Sequence, residues 1–268
     1  MSHLAQRTLS GPALRDIRAA IGLMPLIAFM ARGDLRARYK RSILGPLWMT
    51  LATAMGTLGL GLVWSELFKM PREQFVPALT AGLIMWQLLS GCLLEATTTY
   101  WRQASIIRNV SMPLSVHPIQ MVMKHLINFA HNLPVFVLVV VLFHVPVTGF
   151  TLLFFPCMLL VIANLMWITL LFSMLGARFR DLEYVIGAAL PVLMFLSPVF
   201  YRPNYLPVSG TLMWLNPFSY LIEVIRYPLL GTAPPLFVVG VNLAFCAIGW
   251  AFAITMFNAK RDRIAYWV

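Results

Sequence analysis

Between Leu47 and Phe68 the chain runs through a long apolar stretch whose one charge, Glu66, lies near its far end. About 20 such residues are what an α-helix needs to cross roughly 30 Å of hydrocarbon. Immediately upstream, Arg36, Arg38, Lys40 and Arg41 fall within six positions. A dense basic cluster against a first span keeps that end of the chain on the cytoplasmic side. Backbone polar groups in lipid must be satisfied within the segment that carries them. The junction therefore predicts a helix, and repeated along the chain it predicts an all-α integral membrane protein.

Five further apolar runs follow, at 75–95, 126–146, 150–176, 184–201 and 236–258, so six transmembrane helices are expected. Only 11% of the residues are charged, against about 25% in soluble domains. With both termini inside, the segments on the inner side hold 16 of the 20 Lys and Arg residues, and Lys69, Arg72, Arg202 and Arg226 fall outside. That asymmetry predicts two cytoplasmic termini. The net charge of +11 then points to anionic phospholipid headgroups rather than nucleic acid, because the basic residues flank apolar segments.

The ends and the outer loop divide the chain further. Residues 1–46 read as a cytoplasmic N-terminus without a signal-peptide core, 47–258 as the six-span domain and 259–268 as a basic cytoplasmic tail. The uncharged run 19–31 is too short to span. With Arg15, Arg18 and Arg32 around it, it reads as an amphipathic helix in the membrane interface, or as a buried cytosolic helix, and Pro25 should kink or break it. The region 201–235 holds six prolines. Within it Phe218 to Leu230 reads as a short helix with Asn216 as N-cap and Pro217 at its first position, Glu223 and Arg226 pairing on one face. Such a helix is re-entrant or interfacial, a cap or gate at the outer mouth between spans five and six. In the first span Ala52, Gly56 and Gly59 offer a close-packing face, either within the chain or against a second copy.

The residues carry no sign of catalysis. No phosphate-binding GxxxxGK[ST], HExxH or GxSxG occurs. His125 and His131, with Asn128 and Asn132 nearby, read as a polar helix end, and no metal set accompanies them. Cys92, Cys157 and Cys246 lie inside apolar runs and read as small buried side chains. Few ionisable groups are expected inside the spans, with Asn164 the remaining candidate for an ion, so the energy for any transport should come from outside this chain. Among 18 Phe, 8 Trp and 8 Tyr, the residues Trp48, Trp64, Trp86, Phe195, Phe200 and Tyr201 are candidates for lining a path and packing on the apolar faces of what passes along it.

Four patches, in order, resemble the ABC-2-type permeases that export polysaccharides such as O-antigen, capsule or teichoic acid. The first is Arg38, Tyr39, Lys40, Ser42, Leu44, Gly45 and Trp48. The second is the 108–118 segment with Pro113 and Pro118. The third is the turn 178–183 with Phe179-Arg180-Asp181. The fourth runs from Ser197-Pro198 through Asn216-Pro217-Phe218 to Glu223 and Arg226. The resemblance implies a homodimer paired with two copies of a separate ATPase, which would hold ATP and magnesium; no cofactor is implied for this chain. It implies that Ser111, Met112, Pro113, Leu114 and Ser115 form the coupling element that docks on the ATPase. It implies that Arg36, Arg38, Tyr39, Lys40 and Arg41 line the cytoplasmic mouth, and that Asn216, Pro217, Phe218, Glu223 and Arg226 build the outer gate. It also implies a channel between the two copies, lined by the first, second and fifth spans, through which a lipid-linked polysaccharide crosses the bacterial inner membrane. Two other readings stay open: a permease for a small hydrophobic drug or lipid, and a membrane-embedded glycosyl or lipid transferase.

Overall fold

A computed structural model describes residues 11–45, 47–201 and 213–268. Arg202, Pro203 and Pro207 of the outer loop lie outside the described residues, as does Arg7. Among the described residues the chain is all-helical. Five stretches are long and apolar enough to cross a membrane: α3 (Leu47–Leu67), α4 (Arg72–Ala96), α7 (Val116–Leu142), α8 (Phe154–Arg178, preceded by a 3-10 turn at Gly149–Leu153) and α11 (Leu236–Trp267). Before them come α1 (Pro12–Gly22) and α2 (Met24–Arg38); between α4 and α7 lie the short α5 (Thr99–Arg102) and α6 (Ala104–Asn109). An apolar α9 (Leu182–Leu196) and α10 (Pro217–Leu229) precede α11.

The helices alternate in direction, so two ends can be distinguished. The first end gathers α1, α2, α5, α6, the 110–115 loop and the last turns of α11. The second gathers the 68–71, 143–148 and 197–201 turns with α10. The core is built around α4, 83% of whose most apolar stretch is buried, with α7, α8 and α10 against it. Gly176 lets α8 cross the C-terminal end of α4 at close range: a Cβ there would lie 1.8 Å from the Thr97 carbonyl oxygen.

Several sequence expectations shift here, each for a physical reason. The break at Pro25 falls where expected, between α1 and α2, with Pro25 in the first turn of α2 where its missing N–H is harmless. The third expected span, 126–146, is a helix that starts ten residues earlier. Its polar first third is satisfied sideways: Gln120 donates to Asp34 at 2.8 Å, and Lys124 and His125 both meet Glu95. The fifth expected span, 184–201, ends at Leu196, because Ser197 precedes Pro198 and is driven to extended backbone (φ −91°, ψ 153°). At 15 residues it is about 22 Å long, short of the hydrocarbon thickness. The expected tail 259–268 is the continuation of α11, with Ile264 and Val268 buried.

The packing face of α3 also differs. Its buried residues are Thr53, Thr57, Gly61 and Ser65, a small and polar stripe. Ala52 and Gly59 are exposed, and neither Gly56 nor Gly59 has an atom of another residue within 4 Å of a built Cβ. The close-packing face read from the sequence is therefore not used within this chain.

Candidate functional site

At the first end the turn into α3 follows from two residues of the basic patch. Ser42 Oγ accepts the Gly45 N–H at 3.0 Å, and Gly45 takes φ +53°, a left-handed conformation that glycine adopts without steric cost. Arg36, Arg38, Lys40 and Arg41 are exposed around this turn, and Tyr39 is half-buried with its hydroxyl enclosed. Trp48, on the first turn of α3, is 53% exposed.

The 110–115 loop is not helical at Ser111, Met112 and Pro113; the short helix of this segment is α6, just before it. Ser111 is exposed, Met112 to Leu114 are half-buried, and Ser115 is buried. The burial of Ser115 has an identifiable cause. Asp16 of α1 reaches over and accepts the N–H of Leu114 at 3.2 Å and of Ser115 at 2.9 Å. An anionic acceptor at the start of α7 is where the helix dipole favours it. The same carboxylate faces Arg261 of α11 at 3.3 Å, with an Asp16 side chain only 1% exposed. Asn258 of α11 accepts the Ala13 N–H at 2.7 Å, and Arg108 of α6 donates to the Val268 carbonyl. One carboxylate thus joins the N-terminal helix, the loop and the C-terminal helix. Tyr100 is fully buried beside this junction, and burial, aided by the nearby Asp16 charge, pushes its phenol well above the usual range, so it stays neutral.

Asp16 escaped the sequence reading. Its only local signal is that it is the sole acid in the first thirty-three residues; its partners lie 98, 99 and 245 positions away. Glu95 escaped for the same reason. Its carboxylate meets the Lys124 ammonium, 29 positions on, and His125 Nε2, 30 positions on, at 2.9 Å. With a lysine on the carboxylate this is an ion-pair cluster between α4 and α7. Asn164 is fully engaged: its amide donates to the Asn242 and Leu160 carbonyls and its oxygen accepts from Trp167.

The candidate aromatics separate into three places. Trp64 stacks on Phe200 at 5.3 Å and 14°, and Phe200 contacts Phe195 at 5.4 Å. This cluster, with half-buried Tyr201, lies at the second end, and Phe195 is 60% exposed. Trp86 is enclosed in the core against Phe218 (6.0 Å, edge-on). Trp48 stands alone at the first end.

At the second end Asn216 caps α10: its side-chain oxygen accepts the Phe218 N–H at 3.0 Å, and its amide donates to Ser197 Oγ at 2.8 Å. Pro217 occupies the first turn. Glu223 and Arg226 form the ion pair expected on one face of α10, and that face is turned inward, so the pair is almost wholly buried. Arg226 also donates to the Pro198 carbonyl and, at 3.4 Å, to that of Tyr201. These bonds tie α10 to the strand of chain leaving α9 and satisfy a charge that would be costly alone.

A bundle of apolar helices, with its basic residues concentrated at one end and a proline-rich helix folded into the other, is a multi-pass membrane protein of permease type. The ABC-2 type transporter family matches residues 25–230, 206 of the 268 residues, and the chain belongs to that family. Among its relatives is an O-antigen export system permease protein RfbA of Klebsiella pneumoniae, 26% identical over 210 residues, covering 76% of this chain and 78% of the relative. The protein of the same name from Myxococcus xanthus is 22% identical over 260 residues, covering 94% and 98%.

Proposed function

We propose that this chain is the membrane subunit of an ABC exporter that carries a lipid-linked, O-antigen-like polysaccharide across the bacterial inner membrane. Two copies would pair with two ATPase subunits, with both termini cytoplasmic and anionic phospholipid around the basic end. In this reading α9 serves as a short fifth span, giving six, and α10 as the re-entrant outer gate. The names of the relatives support the substrate class. The observation that carries the architecture is the contrast in burial between helices. Only 17% of the most apolar stretch of α3 is buried in the protomer, and α9 buries Leu190 alone. α11 is nearly as open, at 22%, but it packs chiefly on α8. α3 and α9 both pack on α4, α3 bears the open Ala52, Gly56 and Gly59 face, and these two suit a path between two copies. The enclosure of α4 favours α3 and α9 over α4 as its lining.

ATP binding would close the ATPase dimer against the 110–115 loop, where Ser111 is exposed, Met112, Pro113 and Leu114 are half-buried and Ser115 anchors the loop through Asp16. The exposed Phe195 and the half-buried Trp64, which both pack on the buried Phe200, would offer sugar rings flat apolar faces that place little demand on sugar sequence. The test is a deletion strain in which surface polysaccharide and intracellular lipid-linked polymer are assayed together. Loss at the surface with accumulation inside is expected. An unchanged surface would refute polymer export and favour a small hydrophobic substrate.

A further inference from the structure

A cleft of about 770 Å³ lies between α2, α7 and the turn before α3, and none of the contacts described above uses it. Its size falls in the range of about 300–1,000 Å³ typical of small-ligand sites. Leu35, Met123 and Ile127 make an apolar floor, and Arg32, Arg36, Tyr39 and His131 also line it. Arg32 and Arg36 are four apart on α2, so they stand on one side of the helix.

Among the described residues, Arg32 and Arg36 belong to the arginines that face no carboxylate, as do Arg15, Arg18, Arg38 and Arg41 at the same end, and what sets them apart is that they line this cleft. Arg72, Arg102, Arg226 and Arg261 each meet a carboxylate, on Glu66, Glu183, Glu223 and Asp16. Among the described residues no carboxylate lies within ion-pair distance of Arg32 or Arg36. The Tyr39 hydroxyl is buried and has no hydrogen-bond partner among the described residues. Buried polar groups without a partner are the exception in folded proteins; Tyr39 is one of eight such side chains among the described residues, and the one that borders this cleft. His131 Nδ1 lies 2.7 Å from the Ile127 carbonyl. A carbonyl can only accept, so Nδ1 carries the proton and Nε2 is left for another group.

We propose that this cleft binds the phosphate headgroup of a membrane lipid. Two unpaired guanidiniums present planar forks that match phosphate oxygens, and the Tyr39 hydroxyl supplies a further donor. The apolar floor takes the first carbons of the lipid chain, which a free soluble anion would leave uncovered. Placement on the amphipathic α2, beside the basic end of the bundle, puts the site at headgroup depth. The phosphate comes from one of two sources, a bilayer phospholipid or the carrier lipid of the glycan. The second source rests on the export reading above; the binding itself does not.

The experiment measures lipid retained by the purified full-length protein from nanodiscs of phosphatidylcholine alone, with added phosphatidylglycerol, or with an added isoprenoid diphosphate. Retention of a net-anionic phosphate lipid over phosphatidylcholine is expected. Arg32→Gln with Arg36→Gln should lower it by about tenfold or more, the equivalent of losing one charge-assisted hydrogen bond. Tyr39→Phe, which keeps the ring and so the packing, should lower it several-fold, by about the worth of one neutral hydrogen bond. Arg72→Gln, at the opposite end, should leave it unchanged. Preference for the diphosphate identifies the carrier lipid, and equal retention of both identifies the bilayer phospholipid. Equal retention of phosphatidylcholine, or a folded double variant that retains lipid like the wild type, overturns the proposal. Retention that persists alongside normal surface polysaccharide in the deletion strain refutes the export reading and leaves the cleft standing.

Discussion

Replacing Asp16 by alanine should loosen the start of α7 by an amount that follows from its contacts. The substitution removes the acceptor for the Leu114 and Ser115 N–H groups and the partner of Arg261. A hydrogen bond to a charged group contributes about 1.5–3 kcal/mol. The two bonds share one carboxylate, and water can reach the half-buried loop once it is gone, so the lower half of their sum applies, about 3 kcal/mol. Arg261 is 37% exposed and its share is screened to under about 1 kcal/mol. A local opening made easier by about 3 kcal/mol raises amide exchange roughly 150-fold. Asp16→Asn keeps one acceptor oxygen and should give about a tenfold rise. Hydrogen exchange followed by mass spectrometry over residues 111–120 reads both. An Asp16→Ala protein whose 111–120 amides exchange like the wild type would show that the carboxylate does not hold the loop. An equal rise in α4 would show general unfolding instead.

Four further outcomes can be checked. Charged residues in place of Pro113 and Leu114 should leave ATP hydrolysis by the complex intact while export stops; wild-type export in that variant sinks the coupling role. Gly176→Ala should cost about 1–3 kcal/mol from overpacking against the Thr97 carbonyl, seen as a lower unfolding temperature, whereas Gly240→Ala, with open space around it, should not. Removing either Glu223 or Arg226 alone should cost about 3–5 kcal/mol by stranding a buried charge, and replacing both by methionine should cost less; folded yield in detergent separates these, and a double variant as poor as either single would contradict the pairing argument. Gly56→Leu with Gly59→Leu should spare the fold of the protomer and abolish cysteine cross-linking between copies along α3; cross-linking at wild-type level removes that face from the dimer interface.

The parts of this fold that were legible in the sequence are those set by local chemistry. Long uncharged runs require helices, Pro25 breaks one, and Asn216 followed by Pro217 starts another. The parts that were not legible depend on partners far along the chain. Lys124 and His125 look like loop residues until Glu95 is found beside them, which is why α7 begins ten residues before the expected span. The face that α3 turns inward is not legible in the sequence because the helix is apolar nearly all round, so the pattern contains almost no asymmetry from which to choose, and the Ala52, Gly56 and Gly59 face could serve inside the chain or between copies. Thr53 faces inward because Gln87 and Asn132 are there to meet it. The buried pair of Glu223 and Arg226 was recognised as a pair, but its depth depends on the Pro198 and Tyr201 carbonyls, which only the folded chain brings close.

Two elements at the first end are held in different ways, and that difference bears on how a movement of the loop would spread. α1 is fastened to the 110–115 loop and to α11 by Asp16 and by the Ala13–Asn258 bond, so it must follow them. α2 is separated from α1 by the break at Leu23 and Pro25 and is held to α7 by the Asp34–Gln120 bond and by packing of Ile27 and Leu35. On the proposed reading, the ATPase would move the loop and α1 as one body, and the break would let α2, with its lipid-facing arginines, respond separately. The Asp16→Ala exchange experiment tests this as well. If α1 and residues 111–120 loosen while α2 keeps its protection, the break acts as a joint. If α2 loosens by the same factor, the two helices move as one body and the lipid cleft would be carried with the loop.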